Sequence, residues 1–408
     1  MPSPQAALRM VLAVPITAAL TLAAVAGPAA ADPPAPGSVP PDQDPFYAAP
    51  ADIASYAAGQ VVASRQVTPK AGDLANTTNA WQISYRTNDS HDQPELAVTS
   101  LLVPKAAWTG TGSRPVVSVQ APEDSTGTQC APSYGLSSGS GYAASSALFS
   151  APILSRGWAV AMPDFQGPKS VFMGGVQAGH AVLDGIRAVK NFSTAGIGPS
   201  NPWALNGYSG GAQATGWGAE LQPSYAPEIK LVGTAMGGTP ADPAAVARSL
   251  DGGPFSGFEA AATVSLATEY PEMDIEAIIN EQGKVDLEKA RDKCLPDLIL
   301  AFPFRKLADE STVPDPLSVP SVAAVLKKNT LGSAAPASPI YNYHANTDEI
   351  VPVAQANTLT KAWCAKGAKI QVVRDAIGEH ALEMVTRLNG AMTYLADRFA
   401  GKTPPSTC

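Results

Sequence analysis

Residues 203–220 read WALNGYSGGAQATGWGAE, in which an apolar run is followed directly by a helix-like run. Ser209 lies between the two runs, with Gly207 two residues before it and Gly211 two residues after it. A strand that turns sharply into a helix crowds the backbone, so these two positions accept only very small residues. The helix that begins near Gly210 points free N–H groups at any oxyanion formed beside the serine. The stretch therefore predicts a nucleophilic serine at a strand–helix junction.

The pattern Gly-x-Ser-x-Gly is short, and it occurs a second time at residues 135–139, GLSSG. The residues before this copy, CAPSY at 130–134, are not strand-like, and serines and glycines surround it. Without a preceding strand the serine is not presented at the edge of a sheet. We interpret the second copy as a flexible loop.

A serine nucleophile needs a neighbouring base, and the chain contains 4 histidines. In enzymes with this turn the partners follow in the order serine, acid, histidine, which leaves His344 and His380. His380 follows the predicted strand KIQVVRDA and a loop, and a predicted helix begins after it. His344 lies near the end of another predicted strand. We predict that His380 is the base, with His344 as the alternative, and we then expect replacement of His344 to have a mild effect.

The acid that orients the base is expected just after the strand that contains His344, and Asp348 lies there. The interval from Asp348 to His380 has room for one helix and one strand. Glu349 is an alternative if the turn is one residue longer. Glu379 is adjacent to His380, but neighbours on an extended chain point apart. We predict that Asp348 holds the imidazole and stabilises the imidazolium.

The composition excludes several other classes of protein. The net charge is −8, only 15% of residues are charged, and no basic stripe indicates nucleic-acid binding. No Cys or His pattern indicates a metal, and no motif indicates a cofactor. Residues 1–31 contain Arg9, an apolar run and three final alanines, which predicts a secretion signal; no later run has the length of a membrane span. The 4 cysteines of a secreted chain then predict two disulfides.

Predicted strands and helices alternate along the chain, which is typical of an α/β protein with a mostly parallel sheet and helices on both faces. Residues 32–50 form a proline-rich lead-in. The alternation stops over residues 239–335, which contain several helix-like pieces and no convincing strand. We therefore predict a core in two parts, residues 51–238 and 336–408, separated by an inserted helical cap.

The chain resembles the secretory lipases of the lipase-A type, a family of the α/β-hydrolase superfamily. The resemblance rests on QAPEDS at 120–125 with a cysteine shortly after it, PDFQGP at 163–168, the Ser209 turn, and NTDEIVP at 346–352. It extends over nearly all of the chain after the signal. It implies an α/β-hydrolase fold and a triad of Ser209, Asp348 and His380.

The same resemblance implies an oxyanion hole formed by the backbone N–H groups of Asp124 and Gly210. Asp124 also follows the predicted strand RPVVSVQ, where the second oxyanion donor of this fold arises. The family pattern pairs the cysteines as Cys130–Cys294 and Cys364–Cys408.

The expected function is therefore that of a secreted serine carboxylic-ester hydrolase, with triacylglycerol lipase as the first choice. An esterase or an acyltransferase for short soluble esters is the alternative, and a binding protein on an inactive scaffold is a third reading. The expected partner is a lipid or ester substrate at an oil–water interface, and the chain is expected to be a monomer. The apolar cap segments 254–258 and 298–304 are expected to line the acyl-binding wall.

Overall fold

The computed structural model describes residue 1 and residues 33–408, except for the side chains of residues 142 and 143. Apart from residue 1, the predicted secretion signal lies outside the described residues. Within the described part of the chain, no helix has the length and apolar character that a membrane span requires.

A nine-stranded sheet has the order β1-β2-β3-β5-β4-β6-β7-β8-β9. The strands are β1 Val61–Val67, β2 Thr78–Asn88, β3 Pro94–Pro104, β4 Val116–Gln120, β5 Ala159–Pro163, β6 Trp203–Tyr208, β7 Leu231–Gly237, β8 Ile340–Ala345 and β9 Ile370–Asp375. β1, β2, β3 and β5 pair antiparallel, whereas the pairs from β5 through β4 and β6 to β9 are parallel. The central strands β4, β5, β6 and β8 are buried along their whole length, because helices cover both faces. The predicted α/β class and mostly parallel sheet are confirmed.

The described residues also form helices on both sides of this sheet. They are α1 Leu74–Thr77, α2 Pro132–Ser138, α3 Tyr142–Leu154, α4 Gly175–Asn191, α5 Gly210–Tyr225, α6 Pro243–Leu250, α7 Gly257–Glu269, α8 Glu281–Ala290, α9 Leu295–Ala301, α10 Pro320–Lys328, α11 Val353–Ala365 and α12 His380–Phe399. α2, α3 and α12 share one apolar cluster with the sheet. α4, α5 and α11 contribute to the clusters of the other face. The alternating side chains of the strands therefore supply two cores, one on each face.

The second Gly-x-Ser-x-Gly copy lies in α2, so its interpretation as a flexible loop is wrong. Ser137 is buried, and its hydroxyl donates to the Ser133 carbonyl at 3.0 Å. Pro132 stands at the start of the helix, and Gly139 ends it with φ 81°. Ser137 is therefore a buried residue near the end of a helix. No strand precedes α2 that would present this serine as a nucleophile.

β7 and β8 are neighbours in the sheet, and the chain between them forms helices α6 to α10. Among the described residues of this interval, the β-structure is one isolated bridge between Ile279 and Ser311. The helices enclose an apolar cluster of their own, to which Phe172 and Met173 of the core also belong. We refer to residues 239–335, the range of the predicted insertion, as the cap.

Two disulfides join distant segments in the way that the resemblance implies. Cys130 bonds to Cys294, so that the segment after β4 is tied to the start of α9 in the cap. Cys364 in α11 bonds to the terminal Cys408. Both pairs have Cα–Cα distances, 5.5 and 5.4 Å, that are usual for disulfides.

Candidate active site

Ser209 connects β6 to α5 and has φ 55° and ψ −129°, a backbone conformation that non-glycine residues rarely adopt. A Cβ atom on Gly207 would collide with the Thr215 hydroxyl, and one on Gly211 would collide with the Gln120 carbonyl. The two glycines thus allow β4 and the start of α5 to approach the turn closely. This packing explains why the sequence around the serine is so rich in small residues.

The three side chains that the sequence predicts to act together meet at this turn. His380 Nε2 lies 2.8 Å from Ser209 Oγ, and His380 Nδ1 lies 2.8 Å from Asp348 Oδ2. Because a carboxylate only accepts hydrogen bonds, Nδ1 carries the hydrogen and Nε2 is free to accept the serine proton. This geometry would allow a serine to act as a nucleophile with a histidine as its base and a carboxylate that orients the base.

Three consecutive residues of the turn after β8 form hydrogen bonds with the start of α12 and the residues just before it. Thr347 Oγ1 donates to the Gly378 carbonyl, Asp348 binds the His380 ring, and Glu349 Oε2 accepts the His380 N–H at 3.1 Å. Glu349, the alternative acid, therefore fixes the backbone of His380 and does not contact its ring in this way. The ring and its main chain are fixed by one turn.

Glu379, the other alternative acid, is the N-terminal cap of α12. Its carboxylate accepts the N–H groups of Ala381 and Leu382. A carboxylate at this position satisfies free N–H groups and favours the helix dipole. The helix that begins with His380 is therefore anchored at its first turn by the residue before it.

His344, the alternative base, contacts the acid and not the serine. Its Nε2 lies 3.1 Å from Asp348 Oδ2 and 2.8 Å from the Val351 carbonyl. Both neighbours are acceptors, so Nε2 carries a hydrogen that the two oxygens share. This contact was not predicted, and the one signal for it in the sequence is the spacing of four residues between His344 and Asp348 across the end of β8.

The Asp348 carboxylate is fully engaged. Its Oδ1 accepts the N–H groups of Ile350 at 3.0 Å and Val351 at 2.7 Å, while Oδ2 faces both histidines. Burial alone would raise the pKa of Asp348, but the hydrogen bonds from His344 and His380 hold that pKa well below its ordinary value. Asp348 is therefore an anion throughout the neutral range.

Asp124 lies beside the start of α5, where the second oxyanion donor was expected. Its φ is 47°, its side chain is buried, and a Cβ on Gly210 would collide with its Oδ1. Gly210 is the first residue of α5, so its N–H has no acceptor within the helix. Burial raises the pKa of Asp124 to about 7, although the nearby His380 acts in the opposite direction.

The PDFQGP segment, residues 163–168, forms hydrogen bonds with the loop that contains Asp124. The Gln166 side chain donates to the Ser125 carbonyl at 2.7 Å and accepts the Ser125 N–H at 3.3 Å. The Asp164 carboxylate accepts the Ser133 N–H at 2.9 Å, close to the Cys130 disulfide. The two Gln166 contacts fix the backbone of Ser125, the residue next to Asp124.

A mostly apolar cavity lies beside Ser209 beneath the cap. Its walls come from α6, α7 and α10 of the cap and from the segments next to Ser209, and most of the side chains are apolar, among them Phe172, Met173, Leu250, Phe258, Leu266 and Leu326. Of the segments predicted to form an acyl-binding wall, 254–258 contributes Phe258 to this lining, whereas no residue of 298–304 lines it.

Within the described residues, one group of side chains has the spacing of a metal site: Asp89, His91 and Glu269, whose ligand atoms lie within 4.8 Å of one another. The Lys169 ammonium lies 3.1 Å from Glu269 and 3.9 Å from Asp89. The Lys169 ammonium therefore already pairs with both carboxylates of this group. The group does not favour a metal ion over the lysine.

A family model described as secretory lipase matches residues 141–407. This chain belongs to the secretory lipase family. It is 35% identical over 412 residues to lipase A of Moesziomyces aphidis, covering 96% of this chain and 88% of that protein. It is 36% identical over 329 residues to a secreted triacylglycerol lipase of Malassezia furfur, covering 77% of this chain and 85% of the relative.

Solved structures agree with this secretory lipase assignment. The X-ray structure of Candida antarctica lipase A in its closed state superposes with a TM-score of 0.84 at 34% identity, over 91% of this chain and 89% of that one. The α/β-hydrolase fold is thereby confirmed. The chain is also similar to a Mycobacterium tuberculosis protein described as a probable inactive lipase, 33% identical over 89% of this chain and 83% of that protein. Because one relative is described as inactive, the catalytic activity of this chain is argued below from its own site residues.

Proposed function

We propose that this protein is a secreted triacylglycerol lipase in which Ser209, His380 and Asp348 hydrolyse the ester. The observation that carries the proposal is the position of the His380 ring, with one nitrogen 2.8 Å from Ser209 Oγ and the other 2.8 Å from Asp348 Oδ2. Secretion is supported by the family and by the predicted signal at residues 1–31.

The reaction follows from these positions. Ser209 Oγ attacks the ester carbonyl carbon while its proton passes to His380 Nε2, and Asp348 stabilises the resulting imidazolium. The carbonyl oxygen becomes an oxyanion that the N–H groups of Gly210 and Asp124 stabilise. His380 then protonates the leaving alcohol, and water repeats the steps on the acyl-enzyme to release the acid and restore the serine.

The apolar cavity favours a lipase over an esterase for short soluble esters. Transfer of a fatty chain from water into apolar surroundings gains about 0.8 kcal/mol per buried CH₂ group. The side chains of Phe172, Phe258 and Leu266 give the cavity beside Ser209 an apolar wall. We propose that the cap, residues 239–335, is this acyl-binding wall, and that the protein works as a monomer on lipid at an oil–water interface.

The intact geometry of the site argues against an inactive scaffold, although one relative is described as a probable inactive lipase. A chain without catalytic activity needs neither a strained serine nor a base and an acid in line with it. Transfer of the acyl group to an alcohol uses the same acyl-enzyme, so it remains the alternative outcome of the second step.

The test measures fatty acid release from a long-chain triglyceride emulsion and p-nitrophenol release from acetate and dodecanoate esters. We expect activity on the emulsion and on both esters, and a loss of more than about a thousandfold in Ser209→Ala and in His380→Ala, because these residues act as a unit. Both variants should retain the unfolding temperature of the parent within a few degrees. Activity restricted to acetate would replace the lipase with the esterase, and undiminished activity in Ser209→Ala would refute the proposed mechanism.

A further inference from the structure

The segment that follows Asp124 is bound by the cap. Thr126, which is buried, donates its backbone N–H to the Lys293 carbonyl at 3.0 Å. Its hydroxyl donates to the nearer of two carbonyl oxygens, that of Ala290 at 2.6 Å, and accepts the Lys293 N–H at 3.0 Å. One residue close to the proposed oxyanion hole is therefore held by hydrogen bonds from cap residues 290–293.

The same two segments are joined again a few residues further on. Gln129 Nε2 donates to the Asp292 carbonyl at 2.7 Å, and the Cys130–Cys294 disulfide closes the contact covalently. We refer to this contact between residues 126–130 and 290–294 as the joint. Thr126 is the residue of the joint that lies nearest to Asp124 in the sequence.

Asp124 needs such support because its backbone is strained. Its φ of 47° lies in the left-handed region, which a non-glycine residue keeps only where its surroundings fix it. The next residue, Ser125, is fixed by Gln166 of the core, and Thr126 is fixed by the cap. The two residues after Asp124 are thus held by different parts of the molecule, and release of the cap contact removes one of the two supports.

We propose that Thr126 is a positioning residue for the oxyanion hole, which it serves by tying the Asp124 segment to the cap. The inference rests on the proposed function and specifies how the cap takes part in it. The cap then has two separate tasks, since α6, α7 and α10 line the acyl cavity and the joint fixes an oxyanion donor. An oxyanion forms during hydrolysis of every ester, so the second task affects short and long acyl chains equally.

Thr126→Val tests the position of the donor. The variant keeps the shape of the side chain and the backbone N–H, but it leaves the Ala290 carbonyl and the Lys293 N–H without the hydroxyl. A displaced oxyanion donor weakens the transition state above all, so we expect kcat to fall about 10- to 100-fold on both p-nitrophenyl acetate and p-nitrophenyl dodecanoate, with KM almost unchanged. Thr126→Ser retains the hydroxyl and should recover kcat to within about threefold of the parent value.

Phenylboronic acid separates this role from a purely structural one. It forms a tetrahedral adduct with Ser209 Oγ in which an oxygen on boron occupies the oxyanion position. Its inhibition constant should rise in Thr126→Val by a factor similar to the fall in kcat/KM, because a transition-state analogue depends on the same donors. A structural role alone would lower the unfolding temperature and leave the inhibition constant and the kcat of the folded protein unchanged.

Thr78→Val is the matched control. Thr78 is also buried, and its hydroxyl donates to the Leu74 carbonyl at 2.6 Å, at the start of β2. The same substitution there should lower stability without lowering kcat. The inference would be overturned by an unchanged kcat in folded Thr126→Val, by an equal loss of kcat in Thr78→Val, or by a loss restricted to the dodecanoate ester.

The disulfides provide a second test that holds even where Thr126→Val does not fold. Cys130→Ala/Cys294→Ala opens the joint, whereas Cys364→Ala/Cys408→Ala leaves it intact. At a temperature at which both variants are folded, we expect kcat to fall severalfold in the first alone, and equal values in the two would contradict the inference. Failure of the parent protein to hydrolyse any ester would instead refute the proposed function.

Discussion

His344 Nε2 lies 3.1 Å from Asp348 Oδ2, on the same carboxylate oxygen that binds the ring of His380. Two histidines thus donate to one oxygen of the proposed catalytic acid, and only His380 continues to the serine. His344 is completely buried and also contacts the Val351 carbonyl, which belongs to the turn that holds Asp348. We infer that His344 positions the acid.

This contact changes the expectation that replacement of His344 is mild. We expect His344→Ala to lower kcat by about 10- to 100-fold, the value of a hydrogen bond to a charged group, with KM almost unchanged. His344→Gln, whose amide N–H can reach the same oxygen, should recover part of the loss. Steady-state kinetics on a p-nitrophenyl ester check both. A parallel fall in kcat and in thermal stability, without recovery in the glutamine variant, would indicate a packing role instead.

The pH dependence should report on Asp124. Its pKa is raised to about 7 by burial, so the side chain is neutral below that pH and becomes an anion as the pH rises through it. An anion beside the Gly210 N–H weakens the positive potential that stabilises the oxyanion. We therefore expect kcat/KM to decline above about pH 7, and Asp124→Asn to remove this decline while retaining the backbone N–H. The same alkaline decline in both proteins would assign it to another group.

The two cap phenylalanines should respond differently to substitution. Phe258 lines the cavity, whereas Phe302 is buried against Lys289 and does not line it. We expect Phe258→Asp to reduce hydrolysis of a long-chain triglyceride emulsion more than hydrolysis of an acetate ester, because it places a charge on the acyl path. Phe302→Asp is the control and should lower both activities and the unfolding temperature together. Equal losses in Phe258→Asp would reject the acyl wall.

The disulfides should contribute unequally to stability. Cys130 and Cys294 are 164 residues apart in the sequence, and Cys364 and Cys408 are 44 residues apart. A bridge that closes a longer loop restricts the unfolded chain more, which amounts to about 1 kcal/mol here on the chain-entropy relation. Double alanine replacement of either pair should lower the free energy of unfolding by about 2–5 kcal/mol, with the larger loss for the first pair. Denaturant unfolding measures both, and the reverse order would contradict the loop argument.

Several features of the fold could be predicted because they are local in the sequence. The Gly207-x-Ser209-x-Gly211 pattern is required by a single tight turn. Short continuous apolar runs such as those of β4 and β6 are typical of buried parallel strands. The order of Ser209, Asp348 and His380 restricted the choice of partners before any distance was known. α2 was predicted to be a flexible loop, although the sequence contains signals for both helix ends, with Pro132 at the start and Gly139 directly after the helix.

The sequence by itself determined the class of the sheet, the position of the proposed nucleophile, and the candidates for base and acid, because each depends on a few consecutive residues. Only the tertiary structure decided the contacts of His344 with Asp348 and of Glu259 with Arg305. The first depends on how the turn after β8 folds back on its own strand. The second depends on segments of the cap that are far apart in the chain. Such contacts arise when the packing of the whole chain fixes side chains that have no local pattern in common.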